Sequence, residues 1–136
     1  MANSDVVLIR RPVEWRDIPD YEGRYAVTRD GRVRSHGRFN RLHYPVRWPP
    51  RWLRPIPIGR GGGYRAVNLG EDHPRYVHHL VMLVWGPPKP SPEHEINHRD
   101  GNKLNNDISN LEWVTSAQNK QHALANGLFK GQKKKG

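Results

Sequence analysis

Between Val13 and Ser35 apolar positions recur at every second residue in short runs: Tyr25 and Val27 alternate with Ala26 and Thr28, and Val33 stands between Arg32 and Arg34. A period of two is that of a strand whose side chains point alternately to its two faces, so these runs predict short strands with apolar groups inward and arginines outward. Glu14–Pro19 reads as a first run of the same unit, and Asp30-Gly31 between the later two is a hairpin-turn signal. From Tyr64 the pattern sharpens again. Tyr64–Leu69 predicts a strand, Glu71-Asp72-His73-Pro74 a turn, and Tyr76-Val77-His78 the returning strand.

The period then changes. Across His79–Trp85, Leu80, Leu83 and Val84 fall at helical spacing, which predicts a short core helix stopped by Gly86-Pro87-Pro88. Glu95–His98 begins a strand, Asp100–Asn110 is a polar loop, and Leu111–Val114 is the strand that returns. A last helix is predicted from Thr115, whose hydroxyl can cap the free amides while Gln118 reaches back, to about Asn126, with Gly127 as terminator. The stretch 36–63 is different in kind. Pro45, Pro49-Pro50, Pro55, Pro57 and Gly61-Gly62-Gly63 predict an extended linker or arm. The expected architecture is therefore α+β: a small β module over 1–35, a basic Pro/Gly-rich linker over 36–63, a strand-loop-strand-helix domain over 64–129 and a basic tail over 130–136.

Composition narrows the function classes. Hydrophobic residues make up 35 % of 136, so the core is thin. Cysteine is absent, which excludes disulfides and Cys-ligated zinc. With no long apolar run and no basic-then-apolar start, the expectation is a soluble, unexported protein acting in the cytoplasm, that of the host if a phage encodes it.

The net charge of +10 suits a polyanion, because lysine and arginine that neutralise phosphates release condensed counterions. An anionic membrane is disfavoured, since no segment combines basic and apolar faces at helical spacing. Charge is also segregated. From Gly31 to Gly70 there is no acidic residue, while Arg32, Arg34, Arg38, Arg41, Arg47, Arg51, Arg54, Arg60 and Arg65 all fall there, outlining a phosphate-binding surface. Phe39, Tyr44, Trp48 and Trp52 interleave with these arginines, and either stack on bases or pin the segment to the core. Lys130 and Lys133-Lys134-Lys135 read as a flexible electrostatic arm.

The densest chemistry is Asn97-His98-Arg99-Asp100-Gly101-Asn102-Lys103-Leu104-Asn105-Asn106, followed by Asn110-Leu111-Glu112-Trp113. Asp100-Gly101-Asn102 taken alone is an ordinary turn. A calcium loop is excluded because its closing acidic residue is missing and its flanks are strands. Histidines 78 and 79 are expected to be structural, and histidines 36, 43, 73 and 94 sit among turn or proline residues and carry no chemistry.

Taken together, His98, Asn110 twelve residues on and Asn119 nine beyond it, with the blocks between them, resemble the HNH nucleases, in particular phage- and intron-encoded homing endonucleases. The Trp-x-Asp-Ile-Pro-x-Tyr-Glu-Gly-x-Tyr-x-Val run from Trp15 to Val27 resembles the small N-terminal module that often precedes the nuclease part. The resemblance implies a ββα-metal unit acting on double-stranded DNA with one divalent cation, Mg²⁺ or Mn²⁺, held by Asn97 and Asn119. It implies His98 as general base, oriented by a backbone carbonyl, and Asn110 as the tie of the long loop. It places His122 beside Asn119 as a phosphate or metal helper, and Lys103 near phosphate. Many members carry Asp where this chain has Asn97, and an amide offers a hard cation only a dipole, so metal and DNA are expected to bind cooperatively. The implied function is nicking or double-strand cutting by a monomer or homodimer. The alternative is a DNA-binding module with weak or no catalysis.

Overall fold

The computed structural model describes residues 13–37, 49–70 and 73–125. The N-terminal hairpin forms as the alternation predicts. Strands β1 (Trp15–Asp17), β2 (Tyr25–Thr28) and β3 (Val33–Ser35) pair antiparallel, with Arg16 opposite Val27 and Val27 opposite Val33. That register puts Val27 and Val33 on the inner face and Trp15, Ala26 and Arg34 on the outer one. The turn between β2 and β3 is closed by Gly31 at φ +91°, where a side chain would be strained. Ala26 and Thr28 are nevertheless buried as deeply as Val27. The outer face is roofed by Trp15 and Trp52, packed edge to face with ring centroids 5.9 Å apart, and by the Arg34 guanidinium lying 4.8 and 5.3 Å from their rings.

Trp52 comes from the stretch expected to be a linker, which departs from that expectation. Arg51–Trp52 (β4) adds to the edge of β3, and Ile56–Ile58 (β5) pairs with Tyr64–Val67 (β6). The prolines signal extended backbone, but extended backbone beside an unpaired sheet edge is also a strand. Pro57 sits opposite Arg65 in a three-stranded sheet at whose edge β5 lies, where a missing N–H is tolerated.

A second departure concerns Val77 and His78. β7 is only Arg75–Tyr76, and helix α1 begins at Val77 and runs to Trp85. The buried stripe is Val77, Leu80 and Val81 rather than one through Leu83, which is 52 % exposed. Three- and four-residue spacing from Val77 outweighs the β propensity of a Tyr-Val pair once the core is there to receive it. The helix ends at Gly86, whose N–H donates to Met82 C=O.

The C-terminal part is β8 (His94–His98), β9 (Leu111–Thr115) and α2 (Ser116–Ala125), the strand, loop, strand and helix order expected. The capping box is present: Gln118 N–H donates to Thr115 Oγ1 at 3.2 Å and Thr115 N–H to Gln118 Oε1 at 2.9 Å, an arrangement that stabilises a helix by about 1 kcal/mol. The predicted terminator Gly127 and the lysine tail lie outside the described residues, as do Arg38, Arg41 and Arg47.

One hydrophobic cluster joins the N-terminal sheet to the C-terminal unit, with Ile18, Val27, Val33, Val67, Leu80 and Leu111 in it. Trp85 seals the joint: its indole N–H donates to Val27 C=O at 3.0 Å, and the Arg16 and Arg29 guanidinium groups lie 4.2 and 4.6 Å from its ring. Among the described residues no helix is long and apolar enough to cross a membrane.

Candidate active site

Five residue pairs set β8 against β9, ending with Asn97 opposite Glu112 and His98 opposite Leu111. Alternation therefore sends Glu95 and Asn97 toward α2, and Ile96 and His98 toward α1 and the core. The pairing is unbroken through His98, so no bulge brings Asn97 and His98 to one side. They meet instead at the strand end, where a cleft of about 430 Å³ opens across both faces, lined by Tyr64, Glu95, Asn97, His98, Lys103, Asn119 and His122 among others.

His98 is buried at the floor of this cleft, with Nε2 2.8 Å from the side-chain Oδ1 of Asn106. The acceptor is a side chain, not the backbone carbonyl that the resemblance implied. Burial pushes the His98 pKa below the ordinary histidine value, opposed by the Asn106 hydrogen bond and the charge of Asp100. The ring is thus largely neutral at neutral pH. His78, from the first turn of α1, packs behind it at 5.0 Å and stacks on Tyr64 at 5.2 Å. It is not among the residues that line the cleft.

Burial with the adjacent His79 and His98 charges lowers the His78 pKa to about 3. A histidine depressed in the folded state favours folding fully above its unfolded pKa, and that contribution is lost as pH falls toward the folded value. Urea unfolding between pH 6.5 and 5.5, above the ordinary carboxylate pKa values, is therefore expected to show stability falling with acid. The His78 share of the slope rises toward about 1.4 kcal/mol per pH unit at the acid end of that window. His78→Phe should remove that share, and an unchanged slope would dismiss His78 as its source.

The loop between the strands is built as an Asn/Asp network. Asn110 donates from Nδ2 to Asp100 Oδ1 and to Asn105 C=O, both at 2.9 Å, and accepts from Asp100 N–H at 3.1 Å. Asn105 Nδ2 holds the other Asp100 oxygen at 2.9 Å, and these donors keep the Asp100 carboxyl below its usual range. Asn110 has the geometry of a loop tie and sits away from the cleft lining.

On the other face each amide meets a carboxylate that was not among the residues expected at the site. Asn97 Nδ2 donates to Glu112 Oε2 at 2.9 Å, and Asn119 Nδ2 donates to Glu95 Oε1 at 2.6 Å. A carboxylate only accepts, so each amide turns its NH₂ to its partner and its oxygen away. Among the described residues no three His, Cys, Asp or Glu side chains cluster as a metal site. The donors available to a cation are hard amide oxygens with carboxylates beside them, which fits an oxygen-preferring divalent ion held without a dedicated acidic cage. His122, predicted beside Asn119, lines the same cleft, and its Nε2 is 2.7 Å from Arg99 C=O.

The predicted DNA-contacting cations are dispersed. Lys103 stands at the cleft with Nζ 4.6 Å from the Tyr64 ring, Arg32 and Arg34 lie over Trp52, and Arg51, Arg54 and Arg60 are exposed. Arg65 instead donates to Gly62 and Tyr64 carbonyls at 3.0 and 3.2 Å, holding its own turn.

Residues 75–121 match the HNH endonuclease family, and residues 14–70 match the NUMOD4 motif. The NUMOD4 match crosses the expected boundaries after 35 and 63, in line with the strands found between them. The chain is 31 % identical over 125 residues to an uncharacterized HNH endonuclease, L245, of Acanthamoeba polyphaga mimivirus, covering 90 % of this chain and 33 % of that protein. It is 30 % identical over 124 residues to DNA endonuclease I-HmuI of Bacillus phage SP01, covering 86 % of this chain and 61 % of that one. A solved structure of the HNH homing endonuclease I-HmuI, described as showing DNA binding and cleavage, superposes with a TM-score of 0.61 at 28 % identity, over 84 % of this chain and 59 % of the other. This chain thus spans from a third to three fifths of the length of these relatives.

Proposed function

This chain carries an HNH endonuclease domain behind a NUMOD4 domain and is homologous to the phage homing endonuclease I-HmuI, and from that premise we propose that it is a metal-dependent endonuclease hydrolysing phosphodiester bonds in duplex DNA. The observation that carries the proposal is the convergence, in one cleft, of a neutral buried imidazole with two amides whose oxygens are turned from their carboxylate partners.

Hydrolysis requires a deprotonated water in line with the scissile bond, and stabilisation of the charge that grows on phosphorus and on the leaving oxygen. His98 takes the water proton. Its depressed pKa keeps the lone pair available near neutrality. Asn97 and Asn119 would hold a divalent ion, Mg²⁺ or Mn²⁺, and such an ion when bound supplies Lewis-acid stabilisation of the phosphate and leaving oxygen. Asn110 keeps the loop that carries Asp100 and Lys103 in shape. His122, fixed to the Arg99 carbonyl, and Lys103 face the approaching phosphate. Arg32, Arg34, Arg51, Arg54 and Arg60 give the backbone contacts that hold the duplex. Arg65 is left out of that set because its guanidinium supports the Gly62–Tyr64 turn. The place of action is the cytoplasm of the cell that holds the DNA.

The test is conversion of supercoiled plasmid with Mg²⁺ or Mn²⁺, with EDTA as the blank. Nicked or linear product that appears only with the ion, and is lost in Asn119→Ala, is the expected result. Salt-sensitive DNA binding without cleavage in any ion would instead make this a binding module.

A further inference from the structure

His98 and Asn106 form the most enclosed polar pair of the site, at 6 % and 7 % exposure, with Nε2 and Oδ1 2.8 Å apart. An amide oxygen has lone pairs and no hydrogen to give. The imidazole nitrogen facing it must carry the proton, which leaves Nδ1 as the basic nitrogen. The rings of Tyr64 and His78 also lie beside it, with centroids 6.3 and 5.0 Å away.

Asn106 is itself held from a distance in sequence. The β2–β3 turn of the N-terminal sheet lies directly on it: a methyl group added at Gly31 would come within 2.9 Å of Asn106 Cβ, 3.3 Å of its carbonyl oxygen and 3.3 Å of Val77 Cγ1. Two residues further along the loop, Ile108 N–H donates to Arg29 C=O at 2.8 Å. The turn therefore grips the loop on the segment that presents Asn106 to His98. Glycine is needed there twice over, for the close approach and for its φ of +91°.

We propose that Asn106 is the positioning residue that fixes His98 as the Nε2–H tautomer with Nδ1 free for proton abstraction, and that the β2–β3 turn of the N-terminal module holds Asn106 in place. The N-terminal module is then part of the catalytic scaffold as well as a basic surface. The effect on rate rests on His98 being the general base; the tautomer does not, and it is measurable without metal or DNA.

Long-range ¹H–¹⁵N spectra of the histidine rings of the full chain, with His98 assigned from His98→Gln, read the tautomer at neutral pH. The native protein should show Nε2–H. Asn106→Leu, which keeps the volume and removes the acceptor, should average the two ring nitrogens. Asn106→Asp, which still accepts, should restore the native pattern, and Gly31→Ala should move toward the Leu variant. In single-turnover cleavage Asn106→Leu should lose about 10–100-fold in rate with DNA affinity unchanged, and Asn106→Asp should recover most of it. If Asn106→Leu fails to fold, Asn106→Ala, which opens space rather than filling it, carries the same measurement.

A native tautomer retained without the Asn106 oxygen overturns the proposal. A Gly31→Ala protein with native tautomer and rate removes the N-terminal turn from it. Expected tautomers in a protein that cuts no DNA would uphold the positioning and refute the endonuclease reading instead.

Discussion

Replacing His98 with alanine is expected to slow strand cleavage by about 10²–10⁴-fold while the affinity for DNA stays the same, because general-base catalysis is lost and phosphate contacts are not. Single-turnover cleavage alongside a binding titration separates the two. The ring also fills space against Tyr64 and His78 and satisfies Asn106, so the alanine variant leaves a buried amide oxygen without its donor. His98→Gln is the companion variant: it keeps a donor and much of the volume but cannot take a proton. Equal loss in both assigns the effect to chemistry. Full activity in either would move the base role elsewhere, with His122 the next imidazole in the cleft.

Asn97→Asp is expected to change the protein in opposite directions according to metal. Without an ion, the substitution takes the amide hydrogen from Glu112, now 2.9 Å away, and sets a second carboxylate against it, with Glu95 two residues along the same strand face. Arg99 stands 3.8 Å from the other Glu112 oxygen and is largely exposed, so it screens little of this. The metal-free variant should be less stable by about 1–3 kcal/mol, the cost of leaving a partly buried acceptor without its donor. Millimolar Mg²⁺ or Mn²⁺ should return that stability, and its melting temperature should climb with ion concentration more steeply than that of the native chain, since a carboxylate brings a full charge to a hard cation. Identical ion dependence in the two proteins would take Asn97 out of the ligand set.

These two side chains illustrate what was legible in the chain. Their assignment to the candidate site follows from the fixed spacings that carry the resemblance, and the strand that carries them, the loop tie at Asn110 and the Thr115–Gln118 cap are local features whose partners lie within about a dozen residues. What the two side chains touch was not legible. Asn106 stood in the Asn105-Asn106 block that carries the resemblance, but its burial and its contact with His98 are tertiary features that the block does not show. Glu95 and Glu112 lay in a strand pattern that marks alternate faces without saying which residue of the last helix lies across from them. The prolines of the middle stretch announced extended backbone, but only the free edges of β3 and β6 made strands of Arg51–Trp52 and Ile56–Ile58.

The sequence by itself determined the alternation of strands and helices in the C-terminal unit, the hairpin at Asp30-Gly31, the order of His98, Asn110 and Asn119, and the basic charge, because each is written in neighbouring residues or in composition. The tertiary structure alone decided that α1 starts at Val77, that the N-terminal turn rests on Asn106, and that Trp85 closes on the Val27 carbonyl fifty-eight residues away. Those contacts arise where separately formed elements bury a common core. Which polar groups are then trapped opposite one another depends on packing across the whole chain, and no local pattern encodes it.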